Sequence, residues 1–237
     1  MREIIKLSNG DIGVLDLLGD QVPENASLSE LAYRKIKKDI LFETIGPGTV
    51  INERVEAQRL GMSRTPIREA LKLLEKEGLV VIEPFRGAYV KGIDLKTILE
   101  VEEIRLPLET FVVRKACSRR DPEMLRRLTE ILDKQERLIN EGRDIFITQD
   151  RLFHMTLASY AGNTILYEML LAINDKLFII GMRAIDSSRE RELETVSEHR
   201  NILRALCEGD SEMAVNYMVH HLIQTERSVV LHTRSGE

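Results

Sequence analysis

Four side chains in the C-terminal half of the chain could together hold a metal ion. Asp150 and His154 stand four residues apart, one helical turn, and His199 and His221 lie in later stretches of helical periodicity. Each falls on an inward-facing stripe. Asp150 and His154 align with Leu157 and Ala161, His199 with Val196, Leu203 and Leu206, and His221 with Ala214 and Met218. Neutral imidazoles and one carboxylate suit a borderline divalent ion such as zinc, nickel, cobalt or manganese. The alternative is a scatter of core or surface histidines, each bonded to a backbone carbonyl. Spacing leaves both open, although burying three histidines together otherwise strands several polar atoms. A centre with an open coordination position could also activate water, as in a metal-dependent enzyme, but no dedicated general base is evident beside the four in the sequence.

Arg105 shares a helix face with Val101, Leu108 and Val112, which directs its guanidinium inward. A buried arginine needs a partner, and Glu109 one turn on is the obvious ion pair. A second charged pattern lies far upstream. Arg64, Arg68, Lys72 and Lys76 form a cationic stripe opposite Ile67, Leu71 and Leu74, so one face can dock on a core while the other enters a major groove. Thr65 reads as the N-cap of this helix and Pro66 as its first residue.

The elements around that stripe follow from local signals. Ser27-Leu28-Ser29-Glu30 reads as a capping box for a helix to about Phe42, with Leu28, Leu31, Ala32, Ile36 and Ile40 on one face. Gly46-Pro47-Gly48 breaks the chain, and a short helix from about Asn52 to Leu60 ends at Gly61. Three helices in this order suggest a helix-turn-helix. Leu79 to Ile82 and Ala88 to Val90, separated by a turn through Arg86-Gly87, form a hairpin that would be its wing. Beyond Gly92-Ile93-Asp94 there is no further strand signal. Helices are predicted at roughly 94–118, 121–141, 145–161, 163–186, 190–208 and 210–232, an all-helical antiparallel bundle. The fold is therefore mainly α, with an N-terminal extension over 1–26, a DNA-binding domain over 27–92 and a helical domain over 93–237.

Net charge is −5, which at first opposes DNA binding. Residues 28–92, however, hold twelve Lys and Arg against nine Asp and Glu, an excess of three positives that leaves −8 for the rest. No apolar run approaches membrane-spanning length and no secretory signal is visible, so a cytoplasmic protein with no membrane partner is expected. Cys117 and Cys207 lie in helix-like sequence and read as reduced, buried thiols.

Residues 28–92 resemble the winged helix-turn-helix of the GntR family of bacterial transcription regulators. The likeness rests on Pro47-Gly48, the run Ser63 to Leu71, Glu77-Gly78-Leu79, and Arg86-Gly87 with Val90. It implies DNA contacts from Arg54, Ser63, Arg64, Thr65 and Arg68, with Arg86 and Gly87 reaching the minor groove. Chemically, Arg64 and Arg68 suit bidentate guanine contacts, and Ser63, Thr65 and Arg54 suit phosphates.

Residues 94–234 resemble the FCD ligand-binding domain of the FadR-type branch of the same family. Asp150-Arg151-Leu152-Phe153-His154 fits its Asp-x-x-Phe-His, Glu198-His199-Arg200-Asn201-Ile202-Leu203 its Glu-His-x-x-Ile-Leu, and Gly209-Asp210 with Met218 to Leu222 its last helix. That implies a divalent metal, zinc above the others, on Asp150, His154, His199 and His221. His220, about 100° around the helix from His221, would point away. The resemblance also places Arg105 in an effector cavity, holding a small carboxylate of lactate-like, dicarboxylate or sugar-acid type. Pro107 departs from the pattern and is expected to kink its helix at a cost of roughly 3 kcal/mol. Tyr217 stands where a small residue is more usual. The implied protein is a homodimeric transcription regulator, a repressor released by its ligand, reading an inverted repeat in double-stranded DNA. A direct metal sensor and, more remotely, a metal-dependent enzyme are the alternatives.

Overall fold

The computed structural model describes residues 25–185 and 189–235. These divide into two compact units, one ending at Ile93 and the other beginning at Asp94. Through residue 24, the N-terminal extension expected from the sequence lies outside the described residues.

In the first unit, helix α1 spans Leu28–Leu41, and the Ser27 side chain caps it by accepting from Glu30 N at 3.1 Å. Ala32, Ile36, Ile40 and Leu41 are buried, but Leu28, expected on the same face, is exposed because it sits in the first turn beyond the core. Strand β1, Val50–Ile51, is followed by helix α2, Glu53–Leu60. Asn52 caps α2, and Gly61 ends it in the left-handed conformation (φ 65°), where Met62 N reaches Ala57 O at 2.9 Å.

Helix α3, Arg64–Lys76, buries Ile67, Ala70, Leu71 and Leu74 and exposes its basic face. Its N-cap is Ser63, which corrects the expectation of Thr65 at the cap and Pro66 at the first position. Pro66 is instead the third helical residue. It still lies in the first turn, where a backbone N–H has no helical acceptor, so proline forfeits nothing there. Strands β2, Val80–Glu83, and β3, Gly87–Val90, form the expected hairpin, with Ile82 opposite Ala88. The sheet order is β1-β3-β2, because β1 pairs with β3 at Val50–Tyr89 and Ile51–Ala88. Two residues after a glycine-rich break carry too little pattern for β1 to be read in advance.

The second unit is helical throughout its described residues. Helix α4 spans Leu95–Arg119, α5 Pro122–Arg137, α6 Arg143–Tyr160, α7 Thr164–Ala184, α8 Arg189–Glu208 and α9 Ser211–Ser235. Asp94, Asp121 and Asn163 cap α4, α5 and α7 with their side chains. Helix α4 is continuous through Pro107, and Thr110 Oγ1 donates to the carbonyls of Leu106 and Pro107 at 2.8 and 3.1 Å. Helix α5 ends four residues before the expected 141, and Asn140 turns the chain with a left-handed φ of 66°. Helix α9 packs chiefly on α4 and α8, and α6 on α5 and α7. Nearly every residue of α6 from Phe146 to Tyr160 is buried, so this helix is the axis of the unit. Phe153, Leu157, Leu128, Ile202 and Met218 meet in the core. Cys117 is buried as expected, whereas Cys207 is exposed, and both are free thiols.

Candidate metal centre and nucleic-acid interface

Asp150 and His154 of α6, His199 of α8 and His221 of α9 are all buried, and one ligand atom from each lies within 4.8 Å of the others. How the imidazoles are held explains their aim. His154 Nδ1 hydrogen-bonds the Glu109 carboxylate, His199 Nδ1 faces Gln135 Oε1 at 3.0 Å, and His221 Nδ1 faces Glu198 Oε2 at 2.7 Å. Arg191 anchors Glu198 with two bonds of 2.7 and 3.0 Å. With each Nδ1–H donated to an oxygen, each Nε2 keeps its lone pair toward the centre.

Those lone pairs lack adequate partners. His154 Nε2 and His221 Nε2 are 3.2 Å apart, His199 Nε2 is 3.5 Å from Asp150 Oδ1, and His199 Nε2 has no hydrogen bond. A proton can occupy one such contact, but a metal ion satisfies all four donors together. The two spacings match the edge of about 3.4 Å in a tetrahedron with bonds near 2.1 Å. Burial pushes the His154 imidazole down to about 4 against the pull of Glu109, and burial with His221 and His154 pushes His199 well below the ordinary histidine value. Neutral imidazoles are the form that binds metal. The residues present therefore fit a divalent cation.

Arg105 enters this centre from α4 with 2% exposure. Its Nε donates to Glu109 Oε1 at 2.7 Å, Nη1 approaches Glu102 Oε1 at 3.4 Å, and Nη2 reaches His154 Nε2 at 3.4 Å. The expected Glu109 ion pair thus exists and is shared with the histidine cluster. Burial opposes the arginine's charge, but Glu109, Glu102 and Asp150 outweigh it and hold the group firmly protonated. At Glu109 burial is likewise overcome by His154 and Arg105, which hold that carboxyl well below the ordinary range. A small pocket adjoins the centre, lined by Arg105, Asp150, Arg191, Thr195 and Thr225 on its polar side and by Leu177 and Gly181 among its apolar walls.

His220 is exposed and turned from the cluster. It lines a separate open groove with Tyr217, whose hydroxyl accepts from Arg204 at 3.1 Å. Glu109, Gln135 and Glu198, which orient the histidines, were not singled out for that role in the sequence, although Glu109 and Glu198 lie within motifs that were. Gln135 had only a faint signal, a lone amide on the apolar stripe of Leu128, Ile131 and Leu132. Carboxylates do stand beside the ligands, contrary to the sequence reading, but both are engaged in these bonds.

In the first unit, Arg54, Ser63, Arg64, Thr65 and Arg68 are all exposed around the α2–α3 turn. Arg68 Nε donates to Glu53 Oε2 at 2.7 Å, a tie between α2 and α3 that the sequence did not reveal. Because that bond uses Nε, both terminal nitrogens remain for a base edge. At the wing, Arg86 stacks over the Tyr89 ring at 4.7 Å and pairs with Glu83 at 3.3 Å, and Gly87 is exposed with φ 88°.

Two family descriptions match the chain: "Bacterial regulatory proteins, gntR family" over residues 28–90 and "FCD domain" over residues 100–224. The HTH-type transcriptional regulator YdhC of Bacillus subtilis is 32% identical over 192 residues, 80% of this chain and 85% of that one. The HTH-type transcriptional repressor RspR of Escherichia coli is 27% identical over 210 residues, 88% and 92% of the two chains. Among solved structures, McbR/YncC of E. coli aligns with a TM-score of 0.74 at 22% identity, covering 90% of this chain and 100% of that one, a likeness of fold.

Proposed function

The chain belongs to the gntR family of bacterial regulatory proteins and carries an FCD domain, and on that premise we propose that it is a repressor controlled by a small carboxylate bound beside a divalent metal. It is a transcriptional regulator, not an enzyme. In this reading two copies dock α3 into successive major grooves of an inverted repeat. Arg64 and Arg68 read guanines, Ser63, Thr65 and Arg54 hold phosphates, and Arg86 and Gly87 follow the minor groove. Asp150, His154, His199 and His221 hold the metal, and their nitrogen-rich set favours zinc over the hard ions.

The observation that carries the proposal is the convergence of three histidine Nε2 atoms, one without a hydrogen bond, beside the fully buried Arg105. A divalent ion there would supply positive charge, and a carboxylate oxygen would bind it by expanding the coordination beyond the four protein donors. With His154 Nε2 on the metal, Arg105 keeps two of its five N–H groups on Glu109 and Glu102 and has three for an anion. Binding shifts DNA affinity only as far as the ligand distinguishes two states of the protein.

Operator selection from a random pool, followed by a screen of carboxylates against the metal-loaded protein on that operator, tests this. Enrichment of an inverted repeat and its release by a carboxylate are expected. The tightness of the adjoining pocket favours a second reading, in which metal alone is the signal. Metal-dependent DNA binding that no carboxylate alters would establish that reading and overturn the first.

A further inference from the structure

Next to the metal centre lies a second set of buried donors that the reading above does not use. Arg151 of α6 is 1% exposed, and neither terminal guanidinium nitrogen has a hydrogen-bond partner. Its Nε donates to Asn174 Oδ1 of α7 at 3.0 Å. That bond fixes the amide so that Asn174 Nδ2, also buried, is left without an acceptor. Asp150 Oδ2 is 3.9 Å from Arg151 Nη1, close enough for attraction and too far for a hydrogen bond.

Three buried nitrogens that can only donate, two of them on a charged group, are therefore left without acceptors inside the unit. Leaving them unpaired costs roughly 1–3 kcal/mol per group and more where charged. A water could accept from them, but an anion would add charge-assisted bonds that Asp150, the nearest carboxylate, is too far away to make. Distances link this set to the metal donors: Asp150, which lines the pocket, stands between them, its Oδ1 3.5 Å from His199 Nε2 and its Oδ2 3.9 Å from Arg151 Nη1.

We propose that Arg151 and Asn174 form a second anion-binding point, so that the effector is a small dicarboxylate spanning Arg105 and the metal donors at one end and Arg151 with Asn174 at the other. This rests on the carboxylate-effector reading above. The two fixed donor sets select for an acid with two anionic ends, and a monocarboxylate leaves Arg151 unmet.

Calorimetry on the full-length, zinc-loaded protein tests it with malonate, succinate and glutarate against propionate, butyrate and valerate. At least one diacid should bind roughly tenfold to hundredfold more tightly than its monoacid counterpart, the worth of a charge-assisted bond set. Asn174→Asp is isosteric and gives Arg151 an internal carboxylate, so it should bring that diacid down to the level of the monoacid. Arg151→Met should do the same, and melting curves identify either variant that fails to fold. Diacids no tighter than monoacids, or an advantage that survives Asn174→Asp, would overturn the dicarboxylate site while leaving a carboxylate effector standing. Binding of neither class to the wild-type zinc protein would overturn the carboxylate reading and this inference together.

Discussion

At the scale of single residues, the centre depends on what lies behind each imidazole. Glu109, Gln135 and Glu198 come from α4, α5 and α8 and hold His154, His199 and His221 by Nδ1, so every Nε2 faces inward. Gln135 is the neutral one of the three, which makes it the cleanest to remove. Gln135→Leu keeps most of the volume and deletes the acceptor that fixes the His199 tautomer. Zinc affinity, measured by competition with a chromophoric chelator, should fall by roughly 10–100-fold, as for other residues that orient metal ligands. Metal-free stability should change little, because the substitution removes the unpartnered Gln135 Nε2 but also takes the acceptor from His199 Nδ1. An unchanged zinc affinity would mean that His199 is oriented by packing, chiefly its stacking on Phe153 at 4.3 Å between ring centroids.

Helices carry these residues, and each does so with one face committed to a core. Helix α3 can offer Arg64 and Arg68 because Ile67, Ala70, Leu71 and Leu74 fasten its other side. The Glu53–Arg68 bond then sets how Arg68 leaves that helix. In Glu53→Ala, Arg68 loses this guide and the surface loses a negative charge. Affinity for unrelated duplex should rise, while discrimination between the selected operator and a random duplex falls roughly tenfold, within the worth of one ordered bidentate contact. A uniform gain on both DNAs, with discrimination kept, would reduce Glu53 to a repulsive charge. In α6 the same logic runs through Phe153, which is fully buried beside His154. Phe153→Ala should cost about 3–5 kcal/mol of stability in denaturant melts. A loss below 1 kcal/mol would show that the core closes over the gap.

At the scale of the whole molecule, the four candidate ligands meet at the junction of α6, α8 and α9, so an ion bound there would link metal binding to folding of the helical unit. If zinc is present at a thousand times its dissociation constant, removing it should cost about 4 kcal/mol. Calorimetric melting should therefore shift down on chelation and recover with zinc but not magnesium, whose oxygen preference does not suit three imidazoles. No shift on chelation, or equal recovery with magnesium, would remove the metal from the proposed mechanism. Among the described residues no helix is long and apolar enough to cross a membrane.

Much of this was legible before any coordinates. The Ser27 cap, the helix start near Asn52, the Gly61 stop, the wing hairpin and the inward stripe bearing Asp150, His154, His199 and His221 are all written in local spacing, because caps and periodicity act over a few residues. Where two local preferences competed, the reading failed. The reluctance of a residue before proline to be helical pointed to Thr65 as the cap, but the helix begins at Arg64 and tolerates Pro66 within its first turn. What remained hidden is contact between distant positions: β1 on β3, Gln135 behind His199 across 64 residues, Glu53 on Arg68, and Arg151 with Asn174. Periodicity tells which way a side chain points from its own helix. Only the packing of one helix on another decides what it meets there, and whether that partner satisfies it.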